Sequence, residues 1–145
     1  MAITIHPKPG QILLCDFSVG FRKPEMVKSN RPVIVLSPAN QGRANLVTVV
    51  ALSTSRPEPV LDYHLELPKT VMPMIGNLQK DSSWVKGDMV YAIGFHRLNL
   101  IRLGGRDAQT GKRKYFKNRL SRERMREVYG CVLCGLGLTD LKEHL

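Results

Sequence analysis

The amino-acid sequence predicts a mainly β domain, a small antiparallel barrel with one α-helix near the C-terminal end. Short apolar stretches rich in β-branched residues recur along the chain, and turn-forming residues separate them. Only one stretch has the one-sided apolar spacing of a helix, and it follows the last predicted strand. Because strands and helices do not alternate, a parallel sheet is disfavoured and a small antiparallel barrel is favoured.

The strand predictions rest on continuous or alternating apolar runs. The run from Pro32 to Leu36 is unbroken, which is typical of a strand buried on both faces. Pro32 cannot donate a ladder hydrogen bond, so it belongs at the first position of its strand or on an edge. Gly87-Asp88 is expected to form a tight turn or a bulge within its strand. The predicted strands are residues 11–17, 31–37, 46–53, 63–67, 83–93 and 115–117.

The helix is predicted over about residues 121–136. Ser121 is a good N-cap, and Leu120 with Met125 would form a hydrophobic staple around it. The chain shows no linker and no internal repeat, so residues 1–145 are expected to form a single domain. Residues 1–8 are expected to be a loose lead-in, and Ser18–Asn30 and Leu103–Gly111 are expected to be loops.

Composition narrows the class of protein. The chain has 145 residues, and a hydrophobic content of 43% argues against wholesale disorder. It contains no apolar run of membrane-spanning length, and the N-terminus lacks the pattern of a signal peptide, so a cytoplasmic protein without membrane association is expected. Three cysteines are too few for a disulfide framework.

Positive charge is concentrated near the helix. The net charge is +10. The segment from Arg102 to Arg126 contains ten Lys or Arg residues and two acidic residues, so its net charge is +8. Such a concentration favours a polyanion partner, most simply nucleic acid. A solvated basic surface and a docking site for an acidic protein remain the alternatives.

Arg31 is the first candidate for a functional site, because it lies at the start of the buried strand. A guanidinium there would bind phosphate or stabilise a charged transition state. The alternative is a strand-edge arginine paired with an acid such as Glu25. The residues alone do not decide between the two.

Other polar residues lie at strand ends or on the alternating strands. Ser53 ends a predicted strand, and its hydroxyl either caps a turn or donates to a phosphate. Lys86 and Asp88 share one strand face, so they form either a proton-transfer pair or a surface ion pair. His64 is either catalytic or merely exposed. The histidines and Cys131-x-x-Cys134 lack the spacing of a complete metal site, so no metal is expected.

Four segments taken together resemble the MazF/PemK family of toxins. They are Pro9–Phe17, the loop around Glu25, Arg31–Pro38 and Thr48–Ser53. Each segment alone is a weak match, but their order and spacing make the resemblance strong. It extends from about Pro7 to the final helix, which is nearly the whole chain.

The resemblance implies an SH3-like barrel of the CcdB/MazF type with a C-terminal helix, usually found as a homodimer. It also implies site residues. The implied catalytic residues are Arg31, Ser53, Glu25, Asp88 and Lys86, and the predicted RNA contacts are Arg22, Lys23, Lys28, Thr54, Arg56, His64, Lys112, Arg113 and Lys114. Lys86 replaces the arginine of some relatives, and the loop histidine of others is absent beside Pro24. The assignment of general acid and general base therefore stays open.

The resemblance further implies the toxin of a bacterial type II toxin–antitoxin system. Such a toxin would cut single-stranded RNA at short sequences, without metal or cofactor, by attack of the 2′-hydroxyl. The implied partners are single-stranded RNA, a cognate antitoxin and a second copy of the chain. The alternatives are a non-catalytic CcdB-like inhibitor of DNA gyrase and a nucleic-acid-binding barrel without activity.

Overall fold

The computed structural model describes residues 2–40, 42–73, 76 and 82–145, which form eight strands, one α-helix and short 3-10 turns. The 3-10 turns include Lys69–Val71, Phe95–Arg97 and Thr139–His144. The strands are β1 (Ile12–Cys15), β2 (Arg31–Val35), β3 (Leu46–Ser53), β4 (His64–Pro68), β5 (Ser82–Gly94), β6 (Leu98–Asn99), β7 (Arg102–Arg106) and β8 (Arg113–Tyr115), and the helix is α1 (Arg122–Gly135). The predicted mainly β class with a C-terminal helix is confirmed.

Strands β1 to β6 form one antiparallel sheet, in the order β4-β5-β3-β2-β1-β6, and β7 and β8 form a separate hairpin. The central strand β3 pairs with β2 through Val33 and Ala51 and with β5 through Ala51 and Lys86. The ladder between β3 and β5 shifts at one point, because Val50 pairs with Val90 while Ala51 pairs with Lys86. Residues 87–89 therefore have no partner on β3, which confirms the predicted bulge.

Each face of the sheet carries its own hydrophobic core. On one face, Ile34, Val50 and Leu52 pack with Met125 and Val128 of α1 and with other residues. On the opposite face, alternate residues of the same strands, including Val33 and Val49, pack with Phe17 and Leu13. The near-continuous apolar runs of β2 and β3 are explained by this burial on both faces.

Helix α1 begins at the predicted N-cap. The Ser121 hydroxyl accepts a hydrogen bond from the Arg124 N–H at 3.1 Å, and Met125, Val128 and Cys131 are buried. The Tyr129 hydroxyl donates to the Leu36 carbonyl at 2.6 Å and fixes α1 to the end of β2. No helix in the described ranges is long and apolar enough to cross a membrane.

Two segments differ from their predictions. The first residues are not a loose lead-in, because Ala2 bridges to Asn99, and Ile3 is buried and donates its N–H to Leu98. The segment Leu103–Gly111 is not only a loop, since its first half pairs with β8. The first residues pair with β6, which is distant in sequence, and β7 pairs with β8 although it contains two glycines. Local sequence patterns do not reveal pairing of either kind.

Two glycines place the β5 bulge directly against α1. A Cβ on Gly135 would lie 2.6 Å from the Gly87 carbonyl oxygen, and a Cβ on Gly87 would lie 2.7 Å from the Tyr63 carbonyl oxygen. The Gly87 N–H donates to that same Tyr63 carbonyl at 2.8 Å. Backbone therefore packs on backbone here, and only glycine leaves enough room.

We expect Gly135→Ala to lower the free energy of unfolding by about 1–3 kcal/mol, the usual cost of overpacking a close contact. Urea denaturation of the purified variant would measure the change. Gly104→Ala is the matched control, because Gly104 has no atom within 4 Å of the added Cβ. Equal stability of the two variants would contradict the backbone contact.

Candidate active site

An open cleft of about 670 Å³ lies between the Ser18–Asn30 loop and the ends of three strands. Strand β2 contributes Arg31, β3 contributes Ser53, and β5 contributes Lys86. The remaining lining residues come from the loop and from the bulge of β5, and they are Lys23, Pro24, Glu25, Met26, Val27, Lys28 and Met89. Four cations and one carboxylate therefore surround this space, which suits an anionic ligand.

The sheet register explains why the strand residues meet. Val33 pairs with Ala51, and two residues further along the same register Arg31 comes beside Ser53. Ala51 also pairs with Lys86, so all these side chains project from one face of the sheet. That face is the one opposite α1. The cleft is thus the polar continuation of the core formed by Val33 and Val49.

Arg31 enters the cleft from the start of β2. Asn30 adopts a left-handed φ of 53°, which asparagine tolerates, and turns the chain into β2. The Arg31 Nε is buried and has no hydrogen-bond partner within the described residues. Among all the described residues, the ion pairs are Arg124–Glu127 and His144–Glu143. The alternative of an Arg31–Glu25 ion pair is therefore not found.

Glu25 is held in place by the loop backbone. Its Oε2 accepts from the Arg22 N–H at 2.8 Å, and its own N–H donates to the Arg22 carbonyl at 2.8 Å. The next residue, Met26, donates its N–H to the Tyr91 hydroxyl at 3.0 Å. One carboxylate oxygen of Glu25 thus fixes the turn, while the carboxylate as a whole stays exposed at the cleft.

The base of the loop is fixed by aromatic packing. The rings of Phe17, Phe21 and Tyr91 pack against one another with centroids 5.0–5.5 Å apart. Arg97 lies over Phe21 at 4.8 Å and donates to the Val19 carbonyl at 2.6 Å. This packing ties a long loop to the sheet, so that Lys23, Glu25 and Lys28 occupy defined positions.

Ser53 caps a turn at the edge of the cleft. Its Oγ accepts from the Ser55 N–H at 3.2 Å and donates to the Ser55 carbonyl at 3.4 Å, so it caps the turn after β3. The same side chain lines the cleft beside Arg31. In this structure the hydroxyl proton is directed to the Ser55 carbonyl, so donation to an anion in the cleft would require the hydroxyl to rotate away from that long bond.

Lys86 and Asp88 do not share the cleft. Lys86 lines it and lies opposite His64 on β4, whereas Asp88 is exposed in the bulge and does not line it. Burial lowers the pKa of His64, the nearby charge of Lys86 lowers this pKa further, and the charges of Asp88 and Asp62 oppose these effects. Asp88 is therefore a neighbour of His64. The His64 Nδ1 accepts from the Leu61 N–H at 3.0 Å, so the neutral ring carries its proton on Nε2.

Of the predicted RNA contacts, Lys23 and Lys28 line the cleft, and the others lie outside its lining. Arg22 contributes its backbone to the loop turn, and Thr54 follows Ser53 in the turn. Arg56 lies over the Trp84 ring, 5.6 Å from its centroid. Lys112, Arg113 and Lys114 belong to the β7–β8 hairpin, whose flanking residues Ile101 and Phe116 pack in the core on the α1 side.

Two aromatic residues near the site were not predicted. Trp84 pairs with Ser53 and shares a strand face with Lys86, and Tyr91 positions the loop. The two-residue spacing of Trp84 and Lys86 could have indicated that Trp84 lies on the cleft side of β5. No local feature of the sequence indicated the role of Tyr91. Within the described ranges, no group of three or more His, Cys, Asp or Glu residues is placed to hold a metal ion.

The surroundings of His64 predict opposite effects of its two charged neighbours. Lys86→Met should raise the pKa of His64, because a like charge is removed, and Asp88→Asn should lower it. The other charged groups around His64 are unchanged in both variants. They are Asp62 and, in the adjoining cavity, Arg126, Glu127 and Lys142. NMR titration of the imidazole would measure both shifts. Arg43→Gln, at the opposite end of the sheet, should leave the titration unchanged, and shifts of the opposite sign would refute the arrangement.

Comparison with known proteins relates this site to a family. A family model described as a PemK-like, MazF-like toxin of type II toxin–antitoxin systems matches residues 8–133. The protein YifN of Escherichia coli (strain K12) is 34% identical, with 70% of this chain and 78% of that protein covered.

Solved structures share the fold at low sequence identity. A mycobacterial endoribonuclease in complex with its cognate antitoxin matches with a TM-score of 0.58 and 17% identity, covering 92% of this chain and 97% of that chain. The Mycobacterium tuberculosis toxin MazF-mt6 matches with a TM-score of 0.56 and 15% identity, covering 90% and 98% of the two chains. The mainly β architecture with a C-terminal helix is thus a MazF-like fold, and the chain belongs to the PemK-like, MazF-like toxin family of type II toxin–antitoxin systems.

Proposed function

We propose that this toxin is an endoribonuclease that cuts single-stranded RNA at the Arg31 cleft, without a metal ion. The observation that carries the proposal is the buried Arg31 Nε, which has no partner in the described residues and faces a cleft with three further cations. A guanidinium in this position is ready to bind a phosphate through its fork of donors.

The strand residues would stabilise the negative charge that develops on phosphorus. Arg31 and Lys86 would supply positive charge from two strands, and the Ser53 hydroxyl between them would exchange its 3.4 Å bond to the Ser55 carbonyl for one to the phosphate. These groups are fixed by the sheet before the substrate arrives. Preorganised donors of this kind stabilise a transition state without reorganisation during the reaction.

The reaction would use the 2′-hydroxyl of the RNA as the nucleophile. Glu25, whose carboxylate lies in the cleft, removes the proton from this hydroxyl, and the 2′-oxygen forms a bond to the adjacent phosphorus. The bond from phosphorus to the 5′-oxygen then breaks, and that oxygen takes a proton, for which Lys86 is the donor in the cleft. The products are a 2′,3′-cyclic phosphate and a 5′-hydroxyl. DNA lacks the nucleophile and would not be cut.

The partners follow from the same proposal. The toxin would act in the cytoplasm, form a homodimer and be neutralised by a cognate antitoxin, as the solved mycobacterial complex of an endoribonuclease with its antitoxin suggests. A non-catalytic inhibitor of gyrase would not require a carboxylate and a hydroxyl beside the Arg31 guanidinium. The composition of the cleft therefore favours the nuclease over that alternative.

Arg31→Ala should lower kcat for cleavage of a defined single-stranded RNA by about 100- to 1,000-fold, the usual effect of removing one transition-state donor. Arg43→Ala removes the same charge from an exposed turn outside the cleft and should keep full activity. Gel analysis of the cleaved RNA, with and without EDTA, measures both variants. Full activity of Arg31→Ala, or loss of wild-type activity in EDTA, would refute the proposal.

The base is tested by comparing two isosteric changes. Glu25→Gln should reduce kcat by about 100-fold or more, as loss of a general base does. Asp88→Asn should reduce kcat less, because Asp88 is exposed in the bulge and does not line the cleft. Glu143→Gln, at the exposed C-terminal end, is the control. The reverse order of the two effects would assign the base to Asp88.

A further inference from the structure

A second cationic surface lies on the β7–β8 hairpin. Six exposed basic side chains between residues 102 and 117, here called the basic hairpin, project from its two strands and their ends. They are Arg102, Arg106, Lys112, Arg113, Lys114 and Lys117. The exposed Arg119 and Arg122 extend this surface to the start of α1.

The basic hairpin forms no ion pair within the described part of the chain, and Asp107 is the acid whose carboxylate feels the charge of Lys114. The ion pairs found there involve none of its residues. The carboxylate of Asp107 accepts from the N–H groups of Gln109 and Thr110 at 2.8 and 2.9 Å, and these bonds lower its pKa. Asp107 therefore fixes the turn of the hairpin, and Arg106 donates to the neutral Gly111 carbonyl at 3.1 Å.

The hairpin extends away from the rest of the domain. Its ends are anchored by the buried Ile101 and Phe116. In contrast, Gly104, Gly105 and Gly111 have no atom within 4 Å of the position that a Cβ would take. The strand backbones of the ribbon are thus open to a polymer.

The basic hairpin and the cleft lie on opposite faces of the sheet. Phe116 and Ile101 pack in the core that contains α1, whereas the cleft continues the core that contains Val33 and Val49. Residues of the hairpin therefore do not reach the phosphate held by Arg31. Lys8 and Lys117 line one cavity of about 330 Å³ beside Gln11, so the positive charge of the hairpin continues to the edge of the sheet.

The hairpin has the composition of a phosphate-binding surface rather than of a protein interface. Protein interfaces are centred on exposed apolar or aromatic anchors. None of the exposed large hydrophobic residues of the described chain lies between residues 102 and 126. Phosphate backbones need only cations and hydrogen-bond donors, and they are bound without regard to sequence.

We propose that the basic hairpin is a second RNA-binding surface, which holds the substrate backbone outside the cleavage site without reading its sequence. The role in substrate binding rests on the proposed endoribonuclease function. A short RNA limited to the cleavage motif would fill the cleft alone. A long RNA would pass around the sheet edge and also engage the hairpin, so it would bind more tightly and with a steeper salt dependence.

The test compares a long single-stranded RNA with an RNA of about 8 nucleotides, a length that a small barrel holds. Both carry 2′-O-methyl groups, so that neither is cleaved. Lys112→Ala/Arg113→Ala/Lys114→Ala should weaken binding of the long RNA on the order of tenfold and reduce the slope of log K against log salt by about 2, from three lost contacts at ~0.7 each. The ratio of long-RNA to short-RNA affinity should fall accordingly.

The control variant Arg43→Ala/Lys69→Ala/Lys142→Ala removes the same charge from exposed sites elsewhere and should keep this ratio. Unchanged binding of the long RNA by the hairpin variant would overturn the inference. An equal loss of affinity for both RNAs would overturn it, because the residues would then belong to the cleft. A variant that loses affinity for the antitoxin and keeps its affinity for both RNAs would also overturn it, because the hairpin would then be a protein-binding surface. If wild-type protein leaves unmodified RNA intact while long-RNA binding still depends on the hairpin, only the endoribonuclease proposal fails.

Discussion

The pairing of β3 with β2 on one side and β5 on the other is the constraint on which the candidate site depends. A slip of one residue in either ladder would turn Ser53 and its neighbours to the opposite face. Both faces are buried in the middle of these strands, so apolar packing fixes the register from both sides. The register then also fixes the positions of the polar side chains at the strand ends. Arg31, Ser53 and Lys86 meet in one cleft because the valines and leucines before them cannot shift.

The bulge in β5 separates two residues that a regular strand would have kept together. In an uninterrupted strand Lys86 and Asp88 would share a face, but the extra residues leave Lys86 at the cleft and Asp88 exposed near His64. Contact between Gly87 and Gly135 holds the bulge against α1. The helix thus contributes to the site without supplying a lining residue, because it fixes the strand segment on which the lysine lies.

The large positive charge is divided between two surfaces with different properties. In the cleft, the few cations lie beside a carboxylate and a hydroxyl, and the Arg31 Nε is buried. On the hairpin, the cations are exposed and lack acidic partners in the described residues. Buried donors at fixed positions suit chemistry on a single phosphate, whereas exposed, flexible cations suit binding along a backbone.

The sequence by itself determined the class of fold, five main strands and the helix with its Ser121 cap, because apolar periodicity, capping and proline rules act over a few residues. It located an irregularity at Gly87-Asp88 without separating a tight turn from a bulge, and it made Arg31 a candidate without deciding its role. It did not determine that Ile3 is buried or that Gly104 lies in a strand, since both depend on partners distant along the chain. Nor did it decide whether Arg31 pairs with Glu25, or on which face of the sheet the basic segment lies. Only the tertiary structure decided these points, because the distance between two side chains on different strands is set by register and by packing on both faces of the sheet.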